Sequence, residues 1–416
     1  MPKKTYDLED FVCCECIVDG VLKAKIIAEG SDDACALCGR TAKAVSIADL
    51  GHMLYPVIET FYMQGGFSYD GQTGDDLSWV VQDLMGQYLD CNDTLLKAVR
   101  DADPTDPRDG DAPFIDLEAS YVEKHVSLAD HFGGWNAIKR NLQYGRRFFN
   151  DDAKKFFDEL FVNLEDMSAH GETHGDPRLE VVRTLPAGFA IFRGRSANSD
   201  EALKKILTYP AKELTAPSPG RARVGRMNPQ GIPVFYGGLD RETCLAELRP
   251  SIGQFVVTGQ FNASAPLRVL DFTRLERAYP TSQFVSYFQD DATALFQRRG
   301  FLRELHRLIA EPVLPGREDD HLITQFLAEY LACVRDKPFS GLLFKSSQRR
   351  EGTNIVVFSA QGKGDNRTFP LTFVTESGEA RAVEQAEYKS RDIGFHVFDE
   401  KDVVLDDEDM YGPRDE

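Results

Sequence analysis

The spacing of apolar residues changes along the chain, and the changes suggest where its parts begin. Residues 22–27, among the first 48, read as a short strand-like stretch. After Ala48, Leu50, Met53, Leu54, Val57, Ile58 and Phe61 fall at i, i+3, i+4, i+7, i+8 and i+11, the stripe of a helix with one buried face. Leu77, Val80, Val81, Leu84, Met85 and Tyr88 repeat it. So do Ala153, Phe156, Phe157, Leu160, Phe161 and Leu164, with Asp151 and Asp152 ahead of them as caps. Residues 49–168 therefore predict a helical domain, interrupted by a loop at 101–113 where Pro, Asp and Gly dominate. A polar, glycine-containing stretch around 169–184 predicts a linker. Beyond it, short apolar runs at 189–192, 234–236, 255–257, 267–270, 342–344 and 355–358 alternate with helical stretches at 295–309 and 322–333, a mixed α/β pattern.

Composition narrows the class. At 416 residues the chain exceeds one ordinary core, and 42% hydrophobic with 28% charged residues is a normal globular balance. The formal net charge of −19 repels phosphate backbones and disfavours nucleic acid as main partner. No apolar run has the length of a membrane-spanning helix, and two early lysines are followed by acids instead of an apolar leader, so the expected location is the cytoplasm. Residues 376–416 form an extension whose last twenty residues carry nine acids against two bases.

Five of the eight cysteines crowd into residues 13–38. Cys13-x2-Cys16, eighteen residues, then Cys35-x2-Cys38-Gly39 has the spacing of two knuckles that close a tetrahedral thiolate shell around zinc. Four thiolates leave no position for water, so this zinc is expected to be structural. Cys14 is the alternative to Cys13 if the register shifts by one. His52 reads as a packing or surface residue.

Candidate chemistry lies further on. Residues 191–230 contain eight Lys or Arg against three Asp or Glu, reversing the sign of the chain. Arg193 and Arg195 follow an apolar strand, and Arg221, Arg223 and Arg226 stand in a Gly/Pro-punctuated loop suited to phosphate or diphosphate. Residues 231–240 read as strand and turn, and 241–250 as a short helix capped by Asp240. Residues 339–347 end a strand in two serines.

These blocks, in this order, resemble the RES domain, named for an arginine, a glutamate and a serine. The matching residues are Arg193 in Phe-Arg-Gly-Arg, Glu247 in Leu-Ala-Glu-Leu and Ser346 in Leu-Phe-Lys-Ser, with Ser347 as the alternative serine. Tyr236, the loop residues Arg226 and Asn228, and the pair Thr324-Gln325 extend the resemblance, while Phe192 replaces the usual tyrosine. The resemblance implies an ADP-ribosyltransferase-like fold that consumes NAD, known in bacterial toxins paired with antitoxins; some members use inorganic phosphate as nucleophile. Glu247 is then the carboxylate facing the oxocarbenium-like sugar. Arg193 grips the diphosphate, and Ser346 binds substrate or orients Glu247. Tyr236 and Phe344 offer flat faces to nicotinamide. Arg226, Arg195 or Lys345 would form a second anion pocket, and Asn228 and Gln325 are further substrate-site candidates.

The helical middle resembles the HEPN-like domains that precede some RES modules. It lacks their arginine-to-histidine spacing: Arg140, Arg146 and Arg147 have no histidine four to six residues on, and His125 and His131 precede them. It is expected to sense, oligomerise or bind a partner. The expected architecture is thus a multidomain α+β chain: a four-cysteine zinc knuckle at 1–48, an all-α HEPN-like domain at 49–168, a linker at 169–184, a mixed α/β RES domain at 185–375, and the acidic extension. NAD breakdown by phosphate or water is the leading function. ADP-ribosyl transfer to a macromolecule, or a zinc-containing scaffold with an inactive RES-like half, are the alternatives. An antitoxin or regulatory protein and a second copy are the partners considered.

Overall fold

The structure, a computed structural model, describes residues 4–68, 71–105, 112–125, 127–169, 178–280, 286–310, 321–359, 368–385, 395–398 and 402–405. Residues 170–177 of the expected linker, the centre of the 101–113 loop and the end of the acidic tail lie outside these residues. The described end of that linker is not a loop, since Leu179–Glu180 and Val182–Leu185 are strands held by backbone pairing.

The knuckle is built on a three-stranded antiparallel sheet, with Thr41–Ser46 between Phe11–Cys13 and Ser31–Ala34. The stretch at 22–27 is not a strand. It lies inside the helix Gly20–Glu29, where Asp19 Oδ1 accepts from the N–H groups of Val21 and Leu22. Leu22 and Ile26, four apart, are the residues that face inward. A cap just ahead of an i, i+4 apolar pair outweighs strand-like composition.

The helical stripes appear as Ile47–Phe61, Leu77–Met85 and Asp151–Leu160. Two further helices, Asn92–Asp101 and Ala129–Tyr144, complete the middle, the first burying Leu95, Ala98 and Val99 at i, i+3 and i+4. The middle is not all-α. Ser120–Glu123 pairs with Tyr62–Gln64 and with Asp75–Asp76 in a small antiparallel sheet. Gly51 lets the Ile47–Phe61 helix meet Asn92–Asp101 at close range: a Cβ there would lie 2.5 Å from a backbone carbon of Ala98. Gly51→Ala is therefore expected to lower stability by about 1–3 kcal/mol through overpacking. An unshifted denaturation midpoint would contradict this packing.

The C-terminal half is organised on a nine-stranded sheet. Its order is Val182–Leu185, Leu267–Asp271, Gly341–Lys345, Thr353–Val357, Phe235–Gly238, Ala190–Ala197, Phe255–Ala263 and Leu371–Phe373, with Glu379–Ala382 also on the Phe255–Ala263 strand. Among the described residues only Leu267–Asp271 and Gly341–Lys345 run parallel. Alternate residues feed opposite faces, as period two requires. Leu342, Phe344, Val356 and Tyr236 pack with one core, and Leu343, Ile355, Val357 and Phe235 with another.

The cores divide the chain differently from the expected boundaries. Val12, Ile17, Leu22 and Ile26 of the knuckle share one core with Leu50, Leu54, Val80 and Leu95, and Phe288 and Ala292 also enter it. Trp135, Phe157 and Leu160 instead join the sheet core with Phe301, Leu327 and Leu342. Among the described residues no helix is long and apolar enough to cross a membrane.

Candidate functional site

A cleft of about 420 Å³ opens beside the strands Ala190–Ala197 and Phe235–Gly238, which share a single registered pair, Phe192 with Gly238. The Arg241–Leu248 helix carries Glu247 to its wall, after Asp240 caps the helix by accepting from Thr243 N at 2.8 Å. Ser346 Oγ donates to Glu247 Oε1 at 2.6 Å, and Asn354 Nδ2 donates to the same oxygen at 2.7 Å. Ser346 and Asn354 are themselves buried. The Ser346 hydroxyl also accepts from the N–H groups of Gln348 and Arg349, both at 3.1 Å, which fixes its proton toward Glu247. Both donors converge on Oε1, and Oε2 has no hydrogen bond among the described residues. An exposed carboxylate is thus held by two buried side chains from neighbouring strands.

Arg193 lines the same cleft. Its Nη1 donates to the Tyr236 carbonyl at 3.0 Å, and its guanidinium lies 4.9 Å from the centre of the Phe235 ring. Burial lowers its pKa to about 10, which leaves it cationic at neutral pH. Tyr236 contributes a wall. Its hydroxyl donates to Asn228 Oδ1 at 2.7 Å and accepts from Met227 N at 2.9 Å, and burial pushes its pKa up to about 12. Phe344, Arg226, Lys345 and Ser347 also line the cleft.

Other candidates lie apart. Arg195 is paired with Glu213 at 2.7 Å and is not among the lining residues, so it does not contribute to an anion pocket here. Asn228 is buried and donates to the carbonyls of Arg223, Pro229 and Ile232; it shapes the loop. Gln325 Nε2 holds the same loop through the Gly225 carbonyl at 2.8 Å. Both are removed from the cleft surface.

Lys345 belongs to a cluster that sequence reasoning missed. Its Nζ reaches Glu276 Oε2 at 2.6 Å, and its backbone N–H donates to His306 Nε2 at 2.9 Å. His306 Nδ1 lies 3.2 Å from Glu276 Oε2. Accepting at Nε2 leaves Nδ1 to donate, so the buried imidazole ties the strand end to Glu276. The His306 hydrogen bond, then Lys345, hold Glu276 down to about 2 against burial. A folded pKa below the usual 4.5 means the native state binds fewer protons, so this stability is present above pH 4.5 and is lost as pH falls toward 2. Glu276→Gln is expected to be less stable than wild type at neutral pH, with a shallower loss of stability between those values. Parallel acid-unfolding profiles would contradict it. Asn354, Arg249, His321 and Cys244 are further lining residues. Asn354 had a sequence signal, one amide inside the apolar run Asn-Ile-Val-Val.

At the other end, Cys13, Cys16, Cys35 and Cys38 bring their sulfurs within 4.8 Å of one another. Cys13–Cys38 is 3.6 Å, Cys13–Cys16 3.8 Å and Cys16–Cys35 3.8 Å. A tetrahedron with Zn–S bonds of about 2.3 Å has edges of about 3.8 Å, whereas a disulfide needs about 2.05 Å. The thiolate set and its spacing fit zinc. Gly39 supplies the positive φ of 74° after the second knuckle. Cys14 turns into the neighbouring hydrophobic core, which settles the register on Cys13. The Arg40 N–H pulls the Cys38 thiol down to about 6.

Residues 202–373 match the family model of the RES domain. The match includes Glu247 and Ser346, begins after Arg193, and does not extend to the helical middle. No curated protein and no solved structure matches the chain. The C-terminal part of this multidomain α/β chain is therefore a RES domain, of a family associated with NAD-related toxins.

Proposed function

We propose that the cleft binds NAD and breaks its nicotinamide–ribose bond, with Glu247 as the catalytic carboxylate. The observation that carries this reading is the convergence of Ser346 and Asn354 on one oxygen of Glu247, in a cleft that also holds Arg193, Tyr236 and Phe344. As the C–N bond lengthens, its electron pair leaves with nicotinamide and positive charge grows on the ribose. A fixed carboxylate stabilises that charge without reorganising. Its open oxygen is available to a ribose hydroxyl or to the proton of the nucleophile. Ser346 and Asn354 are positioning residues, and Tyr236 and Phe344 offer surfaces for the nicotinamide ring. An oxygen of water or inorganic phosphate then bonds to the anomeric carbon. Water yields ADP-ribose and a proton; phosphate yields the ADP-ribose phosphate ester. The N-terminal thiolates would hold zinc as a structural ion, which supplies cross-linking and no chemistry in the cleft.

The test is incubation of the purified full chain with NAD, with and without phosphate, following nicotinamide release and the ribosyl product. Phosphate-dependent loss selects phosphorolysis, and phosphate-independent loss selects hydrolysis. Label from NAD retained on a macromolecule would redirect the reading to ADP-ribosyl transfer. Intact NAD in every condition would reject it.

A further inference from the structure

Arg249 gives this cleft a second feature, whose role rests on the proposal that the cleft takes a dinucleotide. The residue closes the Arg241–Leu248 helix in the left-handed region, with φ 44° and ψ 53°. Side chains with a Cβ rarely adopt that backbone, and the following Pro250 disfavours the right-handed helical alternative. Arg249 lines the cleft two positions after Glu247. Its N–H donates to the Ala246 carbonyl at 3.1 Å, while its guanidinium has no hydrogen bond or ion pair among the described residues.

The neighbouring cations are engaged with the protein. Arg193 is held by the Tyr236 carbonyl and Phe235, Arg226 donates to the Ile309 carbonyl, and Lys345 is paired with Glu276. Glu247 is the single carboxylate among the described lining residues, against Arg193, Arg226, Arg249 and Lys345. A cationic cleft in a chain of net charge −19 selects an anionic ligand locally. A guanidinium with its fork unspent is the group best suited to meet a phosphate oxyanion in bidentate geometry.

We propose that Arg249 is the phosphate-oxyanion receptor of this cleft, with its strained backbone aiming the side chain beside Glu247. The oxyanion has two sources: the diphosphate of the dinucleotide, or inorganic phosphate arriving as nucleophile. Arg249 replaces Arg195 in this role, because Arg195 is spent on Glu213.

Calorimetric titration of the full chain with ADP-ribose and, separately, with inorganic phosphate distinguishes the sources. Arg249→Ala is expected to weaken at least one of them by about tenfold or more. Loss confined to ADP-ribose assigns the diphosphate, loss confined to inorganic phosphate assigns the nucleophile, and loss of both assigns a shared position. Arg249→Gly separates binding from architecture, since glycine accepts the left-handed backbone. It is expected to melt no lower than wild type and still to lose the ligand. Wild-type affinity for both probes in Arg249→Ala, or retained affinity in Arg249→Gly, overturns the assignment and leaves the dinucleotide reading intact. Failure of wild type to bind either probe overturns the Arg249 assignment, whereas intact NAD in the turnover assay is what rejects the reading beneath it.

Discussion

Glu247→Gln is expected to lower kcat/KM for NAD loss by about 100- to 1000-fold while leaving the melting temperature unchanged. The size follows from removing one preorganised charge that faces developing positive charge on the ribose, an effect of roughly 2.7–4 kcal/mol in comparable sites. The stability claim follows from the hydrogen bonds. Ser346 and Asn354 both donate to Oε1, and a glutamine retains that oxygen as an acceptor for both. The substitution therefore removes the charge and keeps the contacts. Ser346→Ala gives the complementary result. It keeps the charge but removes one of the two donors that orient it, so a smaller loss, on the order of tenfold, is expected. Purified variants assayed for nicotinamide release, with melting curves recorded in parallel, check both. Equal activity in Glu247→Gln and wild type, at equal stability, would sink the catalytic assignment.

What was legible in the sequence depended on the range over which each residue acts. The stripes at 50–61, 77–88 and 153–164 are local, and they emerge as helices with Leu54, Val80 and Phe157 buried, although the helices stop at Met85 and Leu160, short of Tyr88 and Leu164. Strands such as Leu267–Asp271 and Gly341–Lys345 were recoverable as apolar runs closed by turn residues. Val182–Leu185, by contrast, began inside the expected linker, and Glu379–Ala382, exposed and alternating with charge, showed no apolar run. Residues 22–27 misled because Ala and Lys fit either element, and the deciding contact was the Asp19 cap outside the window. The short strands at 62–64 and 120–123 join segments more than fifty residues apart, and neither has enough residues to show alternation.

The site divides in the same way. Glu247 and Ser346 lie 99 positions apart, yet they bond at 2.6 Å. Motif order indicated them, whereas spacing alone could not. Arg195 lay near Arg193 in sequence but is paired with Glu213. Lys345 looked like a free anion ligand until Glu276, 69 positions earlier, closed on it. Asn228 and Gln325 were polar residues in the right blocks, but their hydrogen bonds turn inward to hold the loop. Arg249 carried no sequence signal beyond its place before Pro250, because a left-handed residue without glycine is visible only in the backbone.

Loss of zinc from the four-cysteine cluster is the other large expected effect, and it should spread beyond the knuckle. The sulfur separations of 3.6–3.8 Å match a tetrahedral thiolate shell, and Cys13 and Cys35 are buried. Without the ion, these thiolates lose the cation that permits them to crowd together. Structural zinc of this type contributes apparent free energies of about 10 kcal/mol or more to folding. The adjoining core has no boundary at residue 48: Val12, Ile17, Leu22 and Ile26 pack with Leu50, Leu54 and Ile58, and Phe288 is part of the same cluster. A strong chelator, or Cys35→Ser, is therefore expected to unfold this whole N-terminal core. The fold of the sheet is expected to suffer less, since Trp135, Phe157 and Leu342 belong to another cluster. Elemental analysis should find one zinc per chain in wild type and less in Cys35→Ser, and hydrogen exchange should place the lost protection in residues 11–101. Wild type without bound zinc, or a melting curve unmoved by chelation, would show that the four thiols hold this core together without an ion.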